Sequence, residues 1–250
     1  MTDQAPVIEF RGVTKRFGSK VVLDHVDLVV QRGEVLVILG GSGTGKSVSL
    51  RQMNGLNQPD QGHVLVDGED ISTFGEEQLG PVRRKIGMLF QGGALFDSMT
   101  VMENVAFALR EHTKMSDAEV EARVIEVLGH VNLKNDVLNV LPASLSGGMK
   151  KRVALARTIA LKPDVLLYDE PTTGLDPVTS MTINRLICDL NKRLATTSVV
   201  VTHDIASALF VANRIAFLKD GRFAFVGTPE EAKASEVREL RAFLAAEEVG

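Results

Sequence analysis

Residues 40–47 carry side chains and spacing that suit phosphate binding. They read GGSGTGKS, which fits the pattern GxxxxGK[ST], and they follow the apolar run VLVIL at 35–39. Glycines let successive backbone N–H groups turn toward phosphate oxygens, while the lysine supplies a mobile cation and the serine a ligand for Mg²⁺. The predicted phosphate-binding residues are Gly40, Gly41, Ser42, Gly43, Thr44, Gly45, Lys46 and Ser47.

Two adjacent carboxylates, Asp169 and Glu170, follow the apolar run VLLY at 165–168. In an open α/β sheet, the carboxyl ends of the strands form the edge at which ligands bind. Enzymes with a phosphate loop take a metal-binding Asp from such a strand, so Asp169 is the predicted Mg²⁺ ligand. Glu170 is the predicted general base, which orients a water molecule and accepts its proton.

Two further candidates, His203 and Gln91, also stand where predicted strands end. His203 follows VVVT at 199–202, and a neutral imidazole there can bond a γ-phosphate and respond to its loss. Gln91 directly follows the predicted strand at 86–90, where the chain leaves the sheet for the helical insertion, so its amide can reach Mg²⁺ or the attacking water. Taken alone, each residue also has a purely structural explanation, and the phosphate loop is what makes both of them catalytic candidates.

A second anion site is predicted at residues 145–148, LSGG, which precede a helix. The Ser146 hydroxyl and the backbone N–H groups of a helix N-terminus can approach a phosphate. This segment is far from Lys46 along the chain, and a second copy related by two-fold symmetry brings the two together more readily than one chain does. ATP is therefore expected between two copies. Three basic residues of that helix are interpreted as a solvated face, namely Lys150, Lys151 and Arg152.

Short strands and helices alternate along the parts of the chain that carry these residues. This alternation predicts an α/β fold with a parallel sheet that is covered on both faces. Helices are predicted from Lys46 to a cap at Gly55, from Pro177, and over 204–213. The predicted strands cover residues 21–30, 35–39, 64–66, 86–90, 165–168, 198–201, 214–218 and 223–226.

Residues 92–160 have a helical pattern instead. Thr100 with Glu103 and Ser116 with Glu119 have capping-box spacing, and apolar residues recur at helical intervals after the second pair. We therefore predict a single domain with a helical insertion. Its parts are a nucleotide-binding core at 1–91 and 161–227, the insertion at 92–160, and a C-terminal helix at 228–250.

The composition of the 250 residues excludes several classes of protein. With 28 basic and 32 acidic side chains, the formal charge is −4, which argues against a nucleic-acid partner. One cysteine, Cys188, allows no internal disulfide, and the first ten residues lack the features of a secretory leader. The apolar runs are shorter than the ~18 residues of a membrane span. If a membrane is involved, a partner is expected to supply the span.

Together the motifs resemble those of the ATP-binding subunits of ABC transporters, over nearly the whole chain. The resemblance implies a RecA-like P-loop NTPase core with N-terminal antiparallel strands, ATP and Mg²⁺ as cofactors, and a dimer that closes on two ATP molecules. Two positions depart from the family's pattern, because Met149 replaces the usual Gln and Phe17 replaces the usual adenine-stacking Tyr. The implied motifs are Walker A at 40–47, a Q-loop at Gln91, the signature at Leu145, Ser146, Gly147, Gly148 and Met149, Walker B at 165–170, a D-loop with Asp176, and a switch histidine at His203.

Within that family, residues 90–105 and 145–177 resemble ATPases of the phospholipid-transporting Mla complexes and of the wider Mce group. This implies a peripheral protein on the cytoplasmic face of the inner membrane that serves outer-membrane lipid asymmetry. The implied partners are an MlaE-like integral membrane permease and MlaD-like and MlaB-like subunits. An ATPase of a small-solute importer and an FtsE-like cell-envelope regulator stay open as alternatives. Five apolar residues either pack inside the insertion or meet a partner, namely Ala94, Leu95, Phe96, Met99 and Val101.

Overall fold

The computed structural model describes residues 5–245. Its strands are β1 (Ile8–Phe17), β2 (Lys20–Val30), β3 (Val35–Leu39), β4 (Gln61–Val66), β5 (Glu69–Asp70), β6 (Ile86–Leu89), β7 (Val165–Asp169), β8 (Thr197–Thr202), β9 (Arg214–Lys219) and β10 (Arg222–Gly227). Its α-helices are α1 (Lys46–Met53), α2 (Glu76–Lys85), α3 (Val101–His112), α4 (Asp117–His130), α5 (Gly147–Ile159), α6 (Pro177–Leu194), α7 (Ile205–Val211), α8 (Pro229–Ala234) and α9 (Arg238–Ala245).

These strands form two sheets. The smaller sheet is antiparallel, with the order β2-β1-β4-β5, and the larger one has the order β10-β9-β3-β8-β7-β6. In the larger sheet, the neighbours from β9 to β6 are parallel, while β10 pairs antiparallel with β9 as a hairpin. The predicted α/β fold, with N-terminal antiparallel strands beside a mostly parallel sheet, is confirmed.

The strand β3 lies at the centre of the larger sheet and is buried at every residue. Val37 and Leu39 face the core that the sheet shares with the helices α3 to α6. Leu36 and Ile38 face a second core, which lies between the two sheets and α1 and α2. A strand that is covered on both faces is apolar throughout instead of alternating, which explains the run VLVIL.

The helices α3, α4 and α5 pack against one another on one side of the larger sheet. Thr100 accepts a hydrogen bond from the backbone N–H of Glu103, whose carboxylate reaches back to the N–H of Thr100. Ser116 and Glu119 make the same pair of bonds at the start of α4. Both predicted capping boxes are confirmed, and each begins a helix of this group.

The C-terminal region differs from the single helix expected over 228–250. The helix α8 ends at Ala234, and α9 begins only at Arg238. Ser235 between them has an extended backbone, and its hydroxyl accepts a hydrogen bond from the N–H of Val237, which interrupts the helical pattern. The last part of the predicted helix, 246–250, lies outside the described residues. Among the helices of residues 5–245, none is both long and apolar enough to cross a bilayer.

Asn104 holds the loop that leads from Gln91 into α3. Its side chain is fully buried, and its Nδ2 donates to the carbonyl oxygens of Phe96 (3.1 Å), Met99 (2.9 Å) and Thr100 (3.0 Å). Its Oδ1 accepts from the N–H of Phe96 at 2.8 Å. One side chain therefore satisfies backbone groups along the second half of the loop, from Phe96 to Thr100.

We predict that Asn104→Ala lowers the free energy of unfolding by about 1–3 kcal/mol, because it leaves buried backbone groups unpaired. Urea denaturation of the full chain measures this change. The control is Asn139→Ala, since Asn139 is exposed and its side chain makes no hydrogen bond among the described residues. Equal midpoints for the two variants would contradict the role of Asn104.

Candidate active site

The phosphate loop at 40–47 joins the end of β3 to the start of α1. Gly43 and Gly45 have positive φ angles of 74° and 109°, which few other residues adopt. At Gly40, a Cβ atom would lie 2.5 Å from the carbonyl oxygen of Leu218, so a side chain has no room there. The Lys46 ammonium donates to the carbonyl oxygens of Gly40 (2.9 Å) and Gly41 (3.0 Å). The loop thus curls around its own lysine.

Ser47 and Asp169 meet across the sheet edge, although they are far apart in the sequence. Ser47 is the second residue of α1 and Asp169 is the last residue of β7, and the serine hydroxyl donates to Oδ1 of the aspartate at 2.7 Å. Both supply the hard oxygen atoms that Mg²⁺ prefers. The predicted pair of metal ligands is therefore brought together with a chemistry that fits the ion.

Glu170 connects the phosphate loop to the next strand. Its Oε1 lies 3.3 Å from Nζ of Lys46, and its Oε2 lies 2.9 Å from Nδ1 of His203. The residue has a positive φ of 48°, and its backbone N–H donates to the carbonyl oxygen of Val201 on β8. A non-glycine residue in this conformation is uncommon, and it turns the carboxylate toward the loop instead of along the strand.

His203 directly follows β8, and its side chain is 56% exposed. Its Nδ1 lies 2.9 Å from Oε2 of Glu170, so this nitrogen faces the carboxylate. The exposed side of the imidazole is thus available to a ligand, while its buried side is tied to the proposed base.

Phe17 lies at the end of β1 and lines a cavity of about 230 Å³ together with Gly43, Gly45, Lys46 and Ser47. Its ring is 51% exposed, and the ammonium of Lys15 lies 5.5 Å from the ring centre. The structure therefore places the predicted adenine-stacking residue beside the phosphate loop, with an open aromatic face.

The helix α5 holds the backbone around Gln91. Lys151 donates to the carbonyl oxygen of Gln91, and Arg157 donates to those of Gly93 (2.8 Å) and Ala94 (2.9 Å). Lys151 is only 7% exposed, so its interpretation as part of a solvated face is wrong. Its position already contained the signal, because it stands three residues after Gly148 and four before Leu155, which are both buried in α5.

Four charged side chains are therefore buried at this edge of the sheet, and their charges balance. Lys46 lies 3.3 Å from Glu170, the charges of Asp169 and Glu170 act on Lys151, and all four residues are 8% exposed or less. Burial lowers the pKa of Lys151, while the charges of Asp169 and Glu170 raise it. Buried charges of one sign need partners of the other sign, so the four form one electrostatic unit.

The signature at 145–149 lies next to the D-loop of the same chain. The hydroxyl of Ser146 accepts from the N–H of Met149 and caps α5, while Asp176 caps α6. A Cβ atom at Gly148 would lie 2.6 Å from the Thr179 side chain, so the glycine permits this close packing. Among the described residues, no hydrogen bond joins the signature to the phosphate loop. Within one chain, the two predicted anion sites are thus not brought together.

The order of these motifs matches a known family of proteins. The family model described as "ABC transporter" matches residues 23–173. The chain belongs to the ABC transporter family. It is an ABC-type ATPase that binds ATP, as the predicted resemblance implied.

Two curated relatives cover nearly the whole chain. The intermembrane phospholipid transport system ATP-binding protein MlaF of Escherichia coli is 39% identical over 240 residues, which are 96% of this chain and 89% of MlaF. The probable ribonucleotide transport ATP-binding protein mkl of Mycobacterium tuberculosis is 41% identical over 243 residues, which are 97% of this chain and 67% of mkl. The resemblance to ATPases of the Mla type is thereby confirmed.

Two solved ABC cassettes have the same fold. The dimeric ATP-binding cassette MJ0796, in a post-hydrolysis state bound to ADP and Pi, superposes with a TM-score of 0.82 at 36% identity and covers 89% of this chain and 98% of its own. The cbiO1 protein of Clostridium perfringens, part of the ABC transporter complex cbiONQ, has a TM-score of 0.85 at 29% identity and covers 98% of this chain and 100% of its own.

We predict that Lys46→Ala raises the dissociation constant for ATP by about tenfold to a hundredfold, because the triphosphate loses a charge-assisted hydrogen bond. Titration calorimetry with a non-hydrolysable ATP analogue measures the change. Lys134→Ala, which removes an exposed ammonium without a hydrogen bond among the described residues, is the matched control. Equal affinities for these two variants would remove Lys46 from the nucleotide site.

Proposed function

We propose that the chain is the ATP-hydrolysing subunit of a transporter that moves phospholipids, on the cytoplasmic face of the inner membrane. Closure of a head-to-tail homodimer on two ATP molecules drives an integral membrane permease. The observation that carries the proposal is the similarity to MlaF along 96% of the chain, together with the phosphate loop and carboxylates gathered at one sheet edge.

Lys46 and Glu170 have paired roles in the proposed reaction. Lys46 exchanges its contact with Glu170 for the β- and γ-phosphates of ATP, which are more strongly charged. The freed Glu170 carboxylate then orients the attacking water and accepts its proton. His203 keeps Nδ1 beside the Glu170 carboxylate and presents the exposed side of its ring to the γ-phosphate, while Phe17 stacks on the adenine.

Mg²⁺, when bound, neutralises the charge that develops on the β- and γ-phosphates. Ser47 and Asp169 are the residues that would hold it, and the amide of Gln91 would reach it when the Q-loop moves toward the nucleotide. The contact between Ser47 and Asp169 supports this assignment. In nucleotide sites, Mg²⁺ usually binds only one or two protein ligands, and substrate phosphates and water supply the other oxygens.

The second copy completes each ATP site. Ser146, Gly147 and Gly148 present a hydroxyl and backbone N–H groups to the ATP of the partner, flanked by Leu145 and Met149, and Asp176 holds the D-loop beside them. The cassette MJ0796, which is similar in structure, is dimeric with ADP and Pi bound, which supports this arrangement. Met149 lacks the amide of the family's usual Gln, so the glycines and Ser146 supply the polar contacts.

The permease is proposed to dock on the helical subdomain at 92–160, beside the remaining core at 1–91 and 161–227. Phe96 is 42% exposed and its ring centre lies 5.0 Å from that of Phe107, which is 40% exposed. Val101 from the same apolar segment is fully buried, so only part of the segment is open to a partner. An MlaE-like permease is the proposed partner there, with MlaD-like and MlaB-like subunits in the complex.

A second candidate cargo is a ribonucleotide. It is favoured by the similarity to mkl, whose name describes ribonucleotide transport and whose identity to this chain is 41%. Reconstitution of the chain with its copurified permease separates the two candidates. ATP-dependent movement of labelled phospholipid supports the first candidate, and uptake of labelled ribonucleotide supports the second.

We predict that Glu170→Gln keeps ATP binding but slows hydrolysis at least about a hundredfold, because the amide holds a water without accepting its proton. With Mg²⁺ and ATP, the variant is expected to accumulate as a dimer in light scattering. The control is Glu121→Gln, since Glu121 is exposed on α4 and makes no ion pair in the described part of the chain. Hydrolysis at the rate of the control would exclude Glu170 as the base.

We predict that Phe96→Asp weakens copurification of the permease at least about tenfold, because it removes the exposed ring and places a charge in an apolar contact. Affinity of the subunit for ATP is expected to stay unchanged. Phe210→Asp is the matched control, since Phe210 on α7 is similarly exposed at 46%. If the two variants retain the permease equally, this patch is not the docking site.

A further inference from the structure

One face of α5 is fastened to the backbone that runs from β6 through Gln91. Lys151 binds the carbonyl oxygen of Gln91, Arg157 binds those of Gly93 and Ala94, and the methyl group of Ala154 packs against Gly93. Residues at 151, 154 and 157 are one helical turn apart and share a face. The helix that begins with the signature is thus bonded along its length to the Q-loop.

Gly93 makes this close contact possible. Its φ is 76°, and a Cβ atom there would lie 3.3 Å from Cβ of Ala154. The N–H of Gly93 donates to the carbonyl oxygen of Phe90, which closes a turn around Gln91. The backbone of Gln91 is therefore fixed from two directions, while its side chain is exposed and makes no hydrogen bond among the described residues.

Lys151 occupies a special place in this contact. It is nine-tenths buried, and its ammonium has Asp169 and Glu170 near enough for their charges to act on it. It therefore contacts the Q-loop through the Gln91 carbonyl oxygen, and the charges of Asp169 and Glu170 raise its pKa against the effect of burial. Arg157 lies two turns further along the helix and holds the outer part of the loop instead.

We propose that Lys151 is a positioning residue for ATP hydrolysis, which holds Gln91 to the signature helix. When the signature helix moves onto the partner's ATP, the bond from Lys151 then moves Gln91 with it toward the nucleotide of its own chain. The inference rests on the role of Gln91 in the proposed function, and it does not depend on the nature of the cargo.

The first test compares Lys151→Met with Lys151→Arg in the full chain. Met has a similar length without the charge, and we expect kcat for ATP to fall about tenfold or more, as for the loss of a charge-assisted hydrogen bond, with KM within about threefold. Arg keeps the charge and donors and is expected to restore most of kcat. Lys150→Met is the matched control, since Lys150 is the neighbouring residue and its ammonium has no bonding partner within residues 5–245.

A double-mutant cycle tests whether Lys151 acts through Gln91. Gln91→Ala keeps the main-chain carbonyl but removes the amide that Lys151 is proposed to position. In the Gln91→Ala background, we expect Lys151→Met to reduce kcat less than about twofold further. Additive losses would mean that Lys151 acts elsewhere in the site and would overturn the inference.

Hydrogen exchange of the backbone at 90–95 gives a measurement that does not depend on turnover. We expect faster exchange in Lys151→Met than in Lys150→Met or the wild-type chain. If Lys151→Met does not fold, Lys151→Gln, which keeps a donor without the charge, replaces it in the kinetic and exchange experiments. Unchanged exchange together with unchanged kcat would overturn the inference.

The outcome for Gln91→Ala alone separates this inference from the proposed function. If Gln91→Ala loses activity while Lys151→Met retains it, the positioning role fails and the proposed function stands. If Gln91→Ala hydrolyses ATP at the wild-type rate, the proposed role of Gln91 fails and the inference fails with it.

Discussion

The buried pair of Lys46 and Glu170 is the interaction on which the rest of the site depends. The two side chains are 5% and 10% exposed, with 3.3 Å between their charged atoms. Removing the partner of a buried charge costs several kcal/mol, so neither group can be released without a replacement. In the proposed function, a triphosphate is such a replacement beside Lys46, since it brings negative oxygens to a loop that already surrounds the lysine, while Glu170 keeps Nδ1 of His203 at 2.9 Å. Binding of ATP and release of the Glu170 carboxylate from Lys46 are then linked by electrostatics.

The parallel sheet makes this pairing possible. Leu39 of β3 pairs with Thr202 of β8, and Val201 of β8 pairs with Asp169 of β7. All three strands therefore end at the same level, and the residues that follow them must share one edge. The lysine, the carboxylates and the histidine come from three separate parts of the chain, but the register leaves them little freedom to be elsewhere.

Much of this arrangement was predictable from the sequence because it follows from local rules. Glycine spacing identifies the phosphate loop, the apolar run before Asp169 identifies its strand, and capping boxes identify α3 and α4. These signals act over a few residues and need no knowledge of the tertiary structure. The predicted fold and the shared sheet edge both rest on them.

The parts that escaped prediction depend on contacts between distant segments. Lys151 looks like a surface lysine within its basic run; its helical spacing from Gly148 and Leu155 places it on the buried face of α5, but its contact with Gln91 follows only from the tertiary structure. The apolar segment after Gln91 has buried and exposed residues because the hydrogen bonds of Asn104 fix its path. The spacing of residues in the sequence does not reveal these bonds. The break between α8 and α9 depends on one serine whose hydroxyl accepts from the N–H of Val237 in competition with the helix.

The charge balance also bears on how the proposed dimer reopens. In the single chain, Lys46 is paired with Glu170. In the proposed closed dimer, the γ-phosphate is the group that the phosphate loop and the partner's signature share. Its departure as phosphate would remove that shared anion, and Glu170 could again take its place beside Lys46. In the proposed cycle, the regained ion pair of Lys46 with Glu170 therefore favours opening after hydrolysis.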